Sequence, residues 1–457
     1  MDFKAINRVH FIGIGGIGMS ALARYFNDQG KVVSGYDKTE TVLTKKLVAE
    51  GIDVHYDDWG NTVLDKLEKV NTLVVYTPAI PAQFQELIML QENGYYVIKR
   101  AKALGIISAE FETFAVAGTH GKTTTCAILA HTLFQTEEKC NAFIGGITSN
   151  YNSNCILDPN ATRVVVEADE FDRSFLQLKP NFAIITTMDS DHLDIYGDSA
   201  HLEQSFNDFI NLVSDAGIVM LQADLNVSNF AIKPNLKVET YGFSEHADWK
   251  GENLHYEEGR FFMDIRHKDQ LFTAVELGLP GKHNAENALA VFALTHQIGI
   301  SEELIRTAFK SFSGVKRRFD FHIRRDDLVV IDDYAHHPTE ITAFLSSLRQ
   351  IYPKRKITTV FQPHLFSRTR DFMLEFSQAL ALTDELFLLP IYPARELPME
   401  GITSEVLLEK IPLLAKKMSS KETIVEDLKL APKDLIVVVG AGDIDTCVQP
   451  IVEAYSL

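Results

Sequence analysis

Cysteine is scarce in this chain, with only Cys126, Cys140, Cys155 and Cys447 among 457 residues. No two of them stand at C-x-x-C spacing, which argues against both a zinc knuckle and a disulfide framework and fits a reducing compartment. Long apolar runs are missing too. The charged start, Met1 to Arg8, is followed by a short apolar stretch broken by glycine, unlike a signal peptide or a membrane span. The expectation is a cytoplasmic protein without membrane insertion. Positive charge is also in deficit: Lys and Arg number 44 against 62 Asp and Glu, a formal charge of -18. Such a balance opposes non-specific binding to nucleic acid or anionic lipid, so an anionic substrate has to be held by local basic groups and helix N-termini. What remains is ordinary for a globular protein, 46% hydrophobic and 23% charged. The length suits about three domains.

The most informative stretch is Phe114-Ala115-Val116-Ala117-Gly118-Thr119-His120-Gly121-Lys122-Thr123-Thr124-Thr125. Apolar residues run into a glycine turn, and an amphipathic pattern follows, which reads as strand, phosphate loop and helix. Gly118 and Gly121 let the backbone turn its N–H groups inward, and the helix start adds partial positive charge. Lys122 is placed to reach the β- and γ-phosphates of a nucleotide, and Thr123 to offer a hydroxyl to Mg²⁺. The loop departs from G-x-x-x-x-G-K-[ST], because Val116 occupies the first glycine position.

Nearer the start, Arg8-Val9-His10-Phe11-Ile12 leads into Gly13-Ile14-Gly15-Gly16-Ile17-Gly18-Met19-Ser20 and a helical pattern. This is a strand, a G-x-G-x-x-G turn and a helix, and a second strand ends at Asp37, where a ribose-binding acid is expected in a dinucleotide fold. The motif specifies a diphosphate at a helix N-terminus, not the nucleotide that carries it. Leu73 to Tyr76 forms a further strand that delivers Thr77 to the ligand-binding edge of an open α/β sheet. The first domain is expected to end near residue 107.

Two buried-type strands then finish in acids. Arg163 to Val166 runs into Glu167, Asp169 and Glu170, and Asn181 to Met188 into Asp189, Asp191, His192 and Asp194. Carboxylates and a histidine at neighbouring strand ends beside a phosphate loop suggest a Mg²⁺ cluster. Short alternating runs between about 215 and 275 suggest antiparallel strands. Gly281-Lys282-His283-Asn284 starts a helix that also carries Asn287. The basic knot Gly314 to Phe319 reads as a hinge. Beyond it, three strands deliver polar loops to one edge: Asp332-Asp333-Tyr334-Ala335-His336-His337, then Gln362-Pro363-His364-Leu365-Phe366-Ser367-Arg368, then Gly440-Ala441-Gly442-Asp443. That is a doubly wound sheet with a binding crevice.

Together these motifs resemble the Mur ligases of peptidoglycan synthesis. The resemblance covers nearly the whole chain in family order, through Gly13–Ser20, Gly118–Thr125, Glu167–Glu170, Asp191–Gly197, Gly281–Asn287, Gly314–Phe319, Asp332–Glu340, Gln362–Thr369 and Gly440–Ile444. The form of the loop at Val116 is also the family's own. The resemblance implies an α/β protein of three domains: a Rossmann-like UDP-sugar domain over residues 1–107, a P-loop-type ATPase domain over 108–313 and a Rossmann-like amino-acid domain over 314–457. Asp191 to Gly197 and Asp333-Tyr334 are similar to the alanine-adding type. The implied reaction joins L-alanine to UDP-N-acetylmuramate at the expense of ATP, through an acyl phosphate.

The residue roles implied are as follows. Gly15, Gly16, Ile17, Gly18, Met19, Ser20, Asp37 and Thr77 bind the UDP sugar. ATP lies on Gly118, Thr119, His120, Gly121, Lys122, Thr123 and Thr124, with His283, Asn284 and Asn287 at the adenine and Arg318 and Asp333 completing the site. Thr123, Glu167 and His192 hold Mg²⁺, for which Mn²⁺ should substitute because imidazole is an unusual magnesium ligand. Lys122, Glu167, His192, Arg318 and Asp333 carry the phosphoryl transfer. Tyr334, His336, His337, His364 and Arg368 line the alanine pocket, and His336, His337, Tyr334 or a neighbouring acid takes the ammonium proton. Partners are small molecules alone, and the chain is a monomer or homodimer. Phe171, Leu365 and Arg395 depart from the commonest family pattern. An NAD-dependent oxidoreductase would use Gly13, Gly15, Gly18 and Asp37 but leave the phosphate loop idle, and a nucleotide switch would leave the first glycine motif idle.

Overall fold

Runs of β-branched and aliphatic residues alternate with amphipathic segments along the chain, and each run that both faces of a sheet can bury becomes a strand. The computed structural model describes residues 5–189, 199–228, 230–257, 259–394, 396–430 and 433–456, the side chain at 199 excepted. By its internal contacts the chain divides into two units, one of Met1–Glu252, Ile265–Thr273 and Glu286–Phe312, the other of Asn253–Asp264, Ala274–Ala285 and Ser313–Leu457.

The first sheet contains β1 (Arg8–Ile12), β2 (Val32–Tyr36), β3 (Asp53–His55), β4 (Thr72–Tyr76) and β5 (Tyr96–Lys99), all parallel, in the order β3-β2-β1-β4-β5. It is wound with α1 (Ile17–Asp28), α2 (Val42–Ala49), α3 (Val63–Lys66), α4 (Gln85–Glu92) and α5 (Arg100–Ser108). The order reverses at β1, so the crevice beyond its C-terminal end holds the glycine turn and the start of α1.

The second sheet takes β6 (Glu112–Ala117), β7 (Asn141–Thr148), β8 (Ser153–Ile156), β9 (Arg163–Ala168), β10 (Phe182–Ile185), β11 (Ile218–Gln222), β12 (Lys237–Gly242), β13 (Trp249–Glu257), β14 (Arg260–His267) and β15 (Gln270–Leu277). Their order is β15-β14-β13-β12-β11-β10-β6-β9-β7-β8. The phosphate-loop strand β6 is flanked in parallel by β9 and β10, whose ends are the two acidic ones read from the sequence. Antiparallel pairing was expected between 215 and 275, but β11, β12 and the start of β13 pair in parallel. The apolar run of β11 is buried along its length, the environment of an inner parallel strand.

The first two sheets are joined through α1, which packs on β7 and β8. Tyr25 meets Phe143 edge to face, ring centroids 5.6 Å apart. Asn154, fully buried on β8, donates its amide to the carbonyl of Ile17 and to Ser20 Oγ, the latter at 3.0 Å. Its own oxygen accepts from Arg24, whose guanidinium also forks onto Glu50 at 2.7 and 2.9 Å.

In the second unit a third sheet runs β16-β17-β21-β18-β19-β20, from β16 (Asp320–Arg324), β17 (Val329–Asp333), β18 (Ile357–Phe361), β19 (Glu385–Leu388), β20 (Lys416–Met418) and β21 (Leu435–Val439). Only β16 is antiparallel among the pairs described. Every residue of β17, β18 and β21 is buried, and the charged groups of these strands, Asp332 and Asp333, lie at the end of β17. The four cysteines are free and buried. Among the described residues no helix is long and apolar enough to cross a membrane.

Candidate active site

The buried run of β6 ends at a loop whose shape needs glycine. Gly118 has φ +138°, and a Cβ there would stand 2.0 Å from Thr186 Oγ1. Gly121 is left-handed at φ 79° and caps α6 (Lys122–Phe134). The end of β10 moulds the loop from the other side. Thr119 N donates to the Thr187 carbonyl at 3.0 Å, His120 N to Thr187 Oγ1 at 2.8 Å, and Thr186 Oγ1 to the His120 carbonyl. His120 Nε2 lies 3.3 Å from Asp189. Thr119, Thr123 and Thr124 are buried by this enclosure, and Asn287 approaches so closely that a Cβ on Gly121 would be 2.8 Å from its Oδ1.

Lys122 Nζ sits 3.0 and 2.9 Å from the two oxygens of Glu170, 3.3 Å from the Thr119 carbonyl, and against the Gly118 carbonyl. Burial works against its charge, but Glu170, Asp169 and Glu167 outweigh burial and hold the ammonium above the ordinary lysine value. Beside it, Thr123 Oγ1 donates to Glu167 Oε1 at 3.1 Å, and Glu167 Oε2 accepts from Gly145 N at 2.8 Å. A hydroxyl and a carboxylate at a helix N-terminus form a hard-oxygen pair that suits Mg²⁺ with several waters retained. The third expected ligand, His192, lies outside the described residues.

Glu167 also faces a cavity of about 320 Å³ that it shares with Gly16, Ile17, Gly18, Met19, Thr77, Arg100, Phe143, Gly145 and Asp169. The glycine turn and the carboxylate of the hard-oxygen pair therefore open onto one space. Asp37 gives one oxygen to the turn, accepting from Gly15 N at 2.7 Å, and the other to its own loop, accepting from Thr39 N at 3.2 Å. Ser20 turns away from the cavity: it is fully buried, donating to the Ile17 carbonyl at 2.9 Å and meeting Asn154. Arg100 was not read from the sequence, where it is an ordinary basic residue after a strand. It pairs with Asp169 at 3.1 Å and lies so near Gly18 that a Cβ there would be 2.8 Å from its guanidinium. Glu170 stood in the acidic run, but its pairing with Lys122 had no signal in the sequence.

In the second unit, the loops after β17, β18 and β21 meet. The guanidinium groups of Arg317 and Arg318 lie 4.9 and 4.8 Å from the Tyr334 ring, a cation–π arrangement. Arg317 also donates to the Gly440 and Gly442 carbonyls. Asp333 accepts from Phe319 N and Ala335 N, both at 2.8 Å, and burial pushes its carboxyl up to about 6. Asp332, one of whose oxygens is buried with no hydrogen-bond partner among the described residues, is pushed by burial to about 7 against the pull of Arg317. His336 Nδ1 is 2.9 Å from the Tyr334 carbonyl, and burial lowers the imidazole to about 3, so it stays neutral with Nε2 as an acceptor. His364 stands between His336 at 5.9 Å and Tyr392 at 5.7 Å, and Arg368 is buried. His337 serves as the N-cap of the Pro338–Ile351 helix. Asn284 donates to the Pro280 carbonyl at 2.7 Å, and burial lowers His283 to about 4.

Comparison with known proteins gives this arrangement its class. The model of the Mur ligase family catalytic domain matches residues 8–112, the Mur ligase middle domain 116–295, and the Mur ligase glutamate ligase domain 317–442. The chain belongs to the Mur ligase family. It is 49% identical over 455 residues to the UDP-N-acetylmuramate–L-alanine ligase of Cytophaga hutchinsonii, covering 99% of this chain and 97% of that protein. The ligase of the same description from Flavobacterium johnsoniae is 47% identical over 451 residues, covering 99% and 98%. Among solved structures, the UDP-N-acetylmuramate-alanine ligase of Thermotoga maritima superposes with a TM-score of 0.84 at 27% identity over 98% of this chain and 99% of that one.

Proposed function

We propose that this enzyme joins L-alanine to UDP-N-acetylmuramate with cleavage of ATP to ADP and phosphate, in the cytoplasm. The observation that carries the reading is the shared cavity, lined both by the turn suited to a sugar diphosphate and by Glu167, the carboxylate that Thr123 hydrogen-bonds. A carboxylate is a poor acyl donor; phosphorylation by ATP turns one of its oxygens into a leaving group. The amine of alanine then attacks the acyl carbon and phosphate departs.

The chain's own residues meet the main difficulty, which is bringing two anions together. The α6 N-terminus and loop amides receive phosphate oxygens, and Lys122 exchanges Glu170 for them. Thr123 and Glu167, with His192 as the further ligand expected from the sequence, would hold Mg²⁺ or Mn²⁺, which supplies neutralising charge to the phosphates. Arg100 offsets charge beside Gly18, and Asp37 keeps the turn in its binding shape. In the second unit, Arg368 is the cation for the alanine carboxylate, while Tyr334, His336 and His364 enclose its amine and methyl group. The test is phosphate release with ATP, Mg²⁺ and UDP-N-acetylmuramate, with and without L-alanine. Turnover that needs all four components supports the reading, and ATP cleavage indifferent to the sugar nucleotide overturns it.

A further inference from the structure

The first sheet carries a second cluster of ligand-type side chains that the ligation chemistry does not use. His10 stands mid-strand on β1, His55 ends the edge strand β3, and Glu86 lies in the first turn of α4. His10 Nε2 is 2.8 Å from Glu86 Oε1, and His55 Nε2 is 3.1 Å from Glu86 Oε2. One nitrogen from each imidazole and one carboxylate oxygen fall within 4.8 Å of one another. His10 and Glu86 are fully buried, and the His55 side chain, on the edge strand, is 11% exposed.

Charge is the reason to look for a cation here. The Glu86 carboxylate takes hydrogen bonds from His10, His55 and the Trp59 N–H, and no lysine or arginine reaches it among the described residues. Two imidazoles and a carboxylate converging in a buried place, with no permanent cation among them, make a donor set of the kind that holds a divalent ion. The surroundings already supply what a metal site needs around its ligands. Ser34, the register partner of His10 on β2, lies 2.9 Å from His10 Nδ1. With a metal on Nε2, the neutral imidazole keeps its single proton on Nδ1 and gives it to the Ser34 hydroxyl, which rotates to accept. No proton is lost. The Trp59 ring stacks on His55 with centroids 3.4 Å apart and fixes the plane of that imidazole. Asp58 caps the start of α4, accepting from Gln85 N at 3.2 Å and Glu86 N at 3.1 Å, and so pins the carboxylate's helix.

We propose that His10, His55 and Glu86 form a binding site for a divalent cation of the zinc type, tying β1, β3 and α4 together. Bonds of about 2.0–2.1 Å in a tetrahedral set separate ligand atoms by roughly 3.3 Å, so the 2.8 Å His10–Glu86 pair opens by about half an ångström, and the whole set, already within 4.8 Å, draws to that spacing around the ion. Two imidazoles and one carboxylate favour zinc over magnesium or calcium, which keeps this site chemically apart from the Thr123–Glu167 pair. Entry is from the edge strand, where Asp53, Asp57 and Asp58 bracket His55 in the sequence.

The experiment uses the full chain, stripped with a chelator and then equilibrated with Zn²⁺ or Co²⁺ alone. Wild type should retain one zinc per chain, and its Co²⁺ form should show the visible bands of a four-coordinate ion. Glu167→Gln should keep both signals. His55→Phe, which preserves an aromatic ring on Trp59, and Glu86→Gln should lose both, and the thermal midpoint of wild type but not of His55→Phe should rise with zinc concentration. A wild type that holds no zinc, or a His55→Phe protein that holds it equally well, would overturn the site and leave a hydrogen-bonded triad only.

Discussion

Removing the phosphate-loop lysine should damage the protein twice, and the two effects can be separated. Lys122 is 13% exposed and Glu170 1% exposed, with their charges about 3 Å apart. At an effective dielectric constant near 20 that separation is worth about 5 kcal/mol of attraction, and stripping one partner from a buried pair typically costs about 3–5 kcal/mol. The Lys122→Met protein therefore strands Glu170 beside Glu167 and Asp169. At roughly 2 °C per kcal/mol for a large unit, its thermal midpoint should fall by roughly 6–10 °C. Lost ligation in that variant would then prove little. Lys122→Met combined with Glu170→Gln removes both charges while keeping their bulk, and most of the lost stability should return. Ligation should not return, because the phosphates still lack their cation. Calorimetric titration with UDP-N-acetylmuramate should be nearly unchanged in the double variant, since the glycine turn at Gly15 to Gly18 is a separate element. A single variant as stable as wild type would refute the ion pair. A double variant that regains ligation would refute the role of Lys122.

Thr123→Ala and Glu167→Gln should each raise the Mg²⁺ concentration for half-maximal rate, and the double variant should lose less than the sum, because both act on one ion; additive losses with unchanged metal dependence would separate them. Gly145→Ala should raise the same requirement while leaving the thermal midpoint almost unaltered, since its Cβ would stand 2.4 Å from Glu167 Oε2 and displace only that side-chain end. Acid sensitivity should trace to Glu86. Burial raises its carboxyl, but the histidine hydrogen bonds outweigh burial and hold it at about 2, below its ordinary 4.5. That contribution is complete above the unfolded value and lost as pH falls toward the folded one, about 3 kcal/mol in all. Burial also lowers His10 below 6.5, so protonation of the unfolded chain adds to the decline in the same direction. Urea midpoints of chelator-treated protein measured from pH 7 to 3 should fall steeply in wild type and less between pH 5 and 3 in Glu86→Gln; parallel curves would show that the carboxylate does not titrate this way.

Much of the proposed site is legible in the sequence because its elements are local. The phosphate loop announces itself through a buried run, two glycines and a lysine within a dozen residues, and Glu167 through an apolar strand that turns acidic. Contacts made across the fold leave no such trace. Thr186 and Thr187 mould the loop from β10, yet two threonines at a strand end look neutral in sequence. Asp37 reads as a ribose ligand and is found holding Gly15. His337 reads as part of a pocket and is found capping a helix, a place more often taken by Ser, Thr, Asp or Asn. The direction of β11 and β12 depends on which helices cover them, and a short apolar run does not say. His10 and Glu86 are 76 residues apart, and only the winding of the first sheet makes them neighbours.

The Asn154 clamp bears on the design of inhibitors for this enzyme. It fixes the first turn of α1 to β8, and the phosphate loop grows from the same sheet, so the two surfaces proposed for phosphorylated groups sit on a common frame. A compound bearing one group for each surface can therefore be built on a stiff connector. Little conformational freedom is then lost on binding, and attachment of one end presents the other at high local concentration.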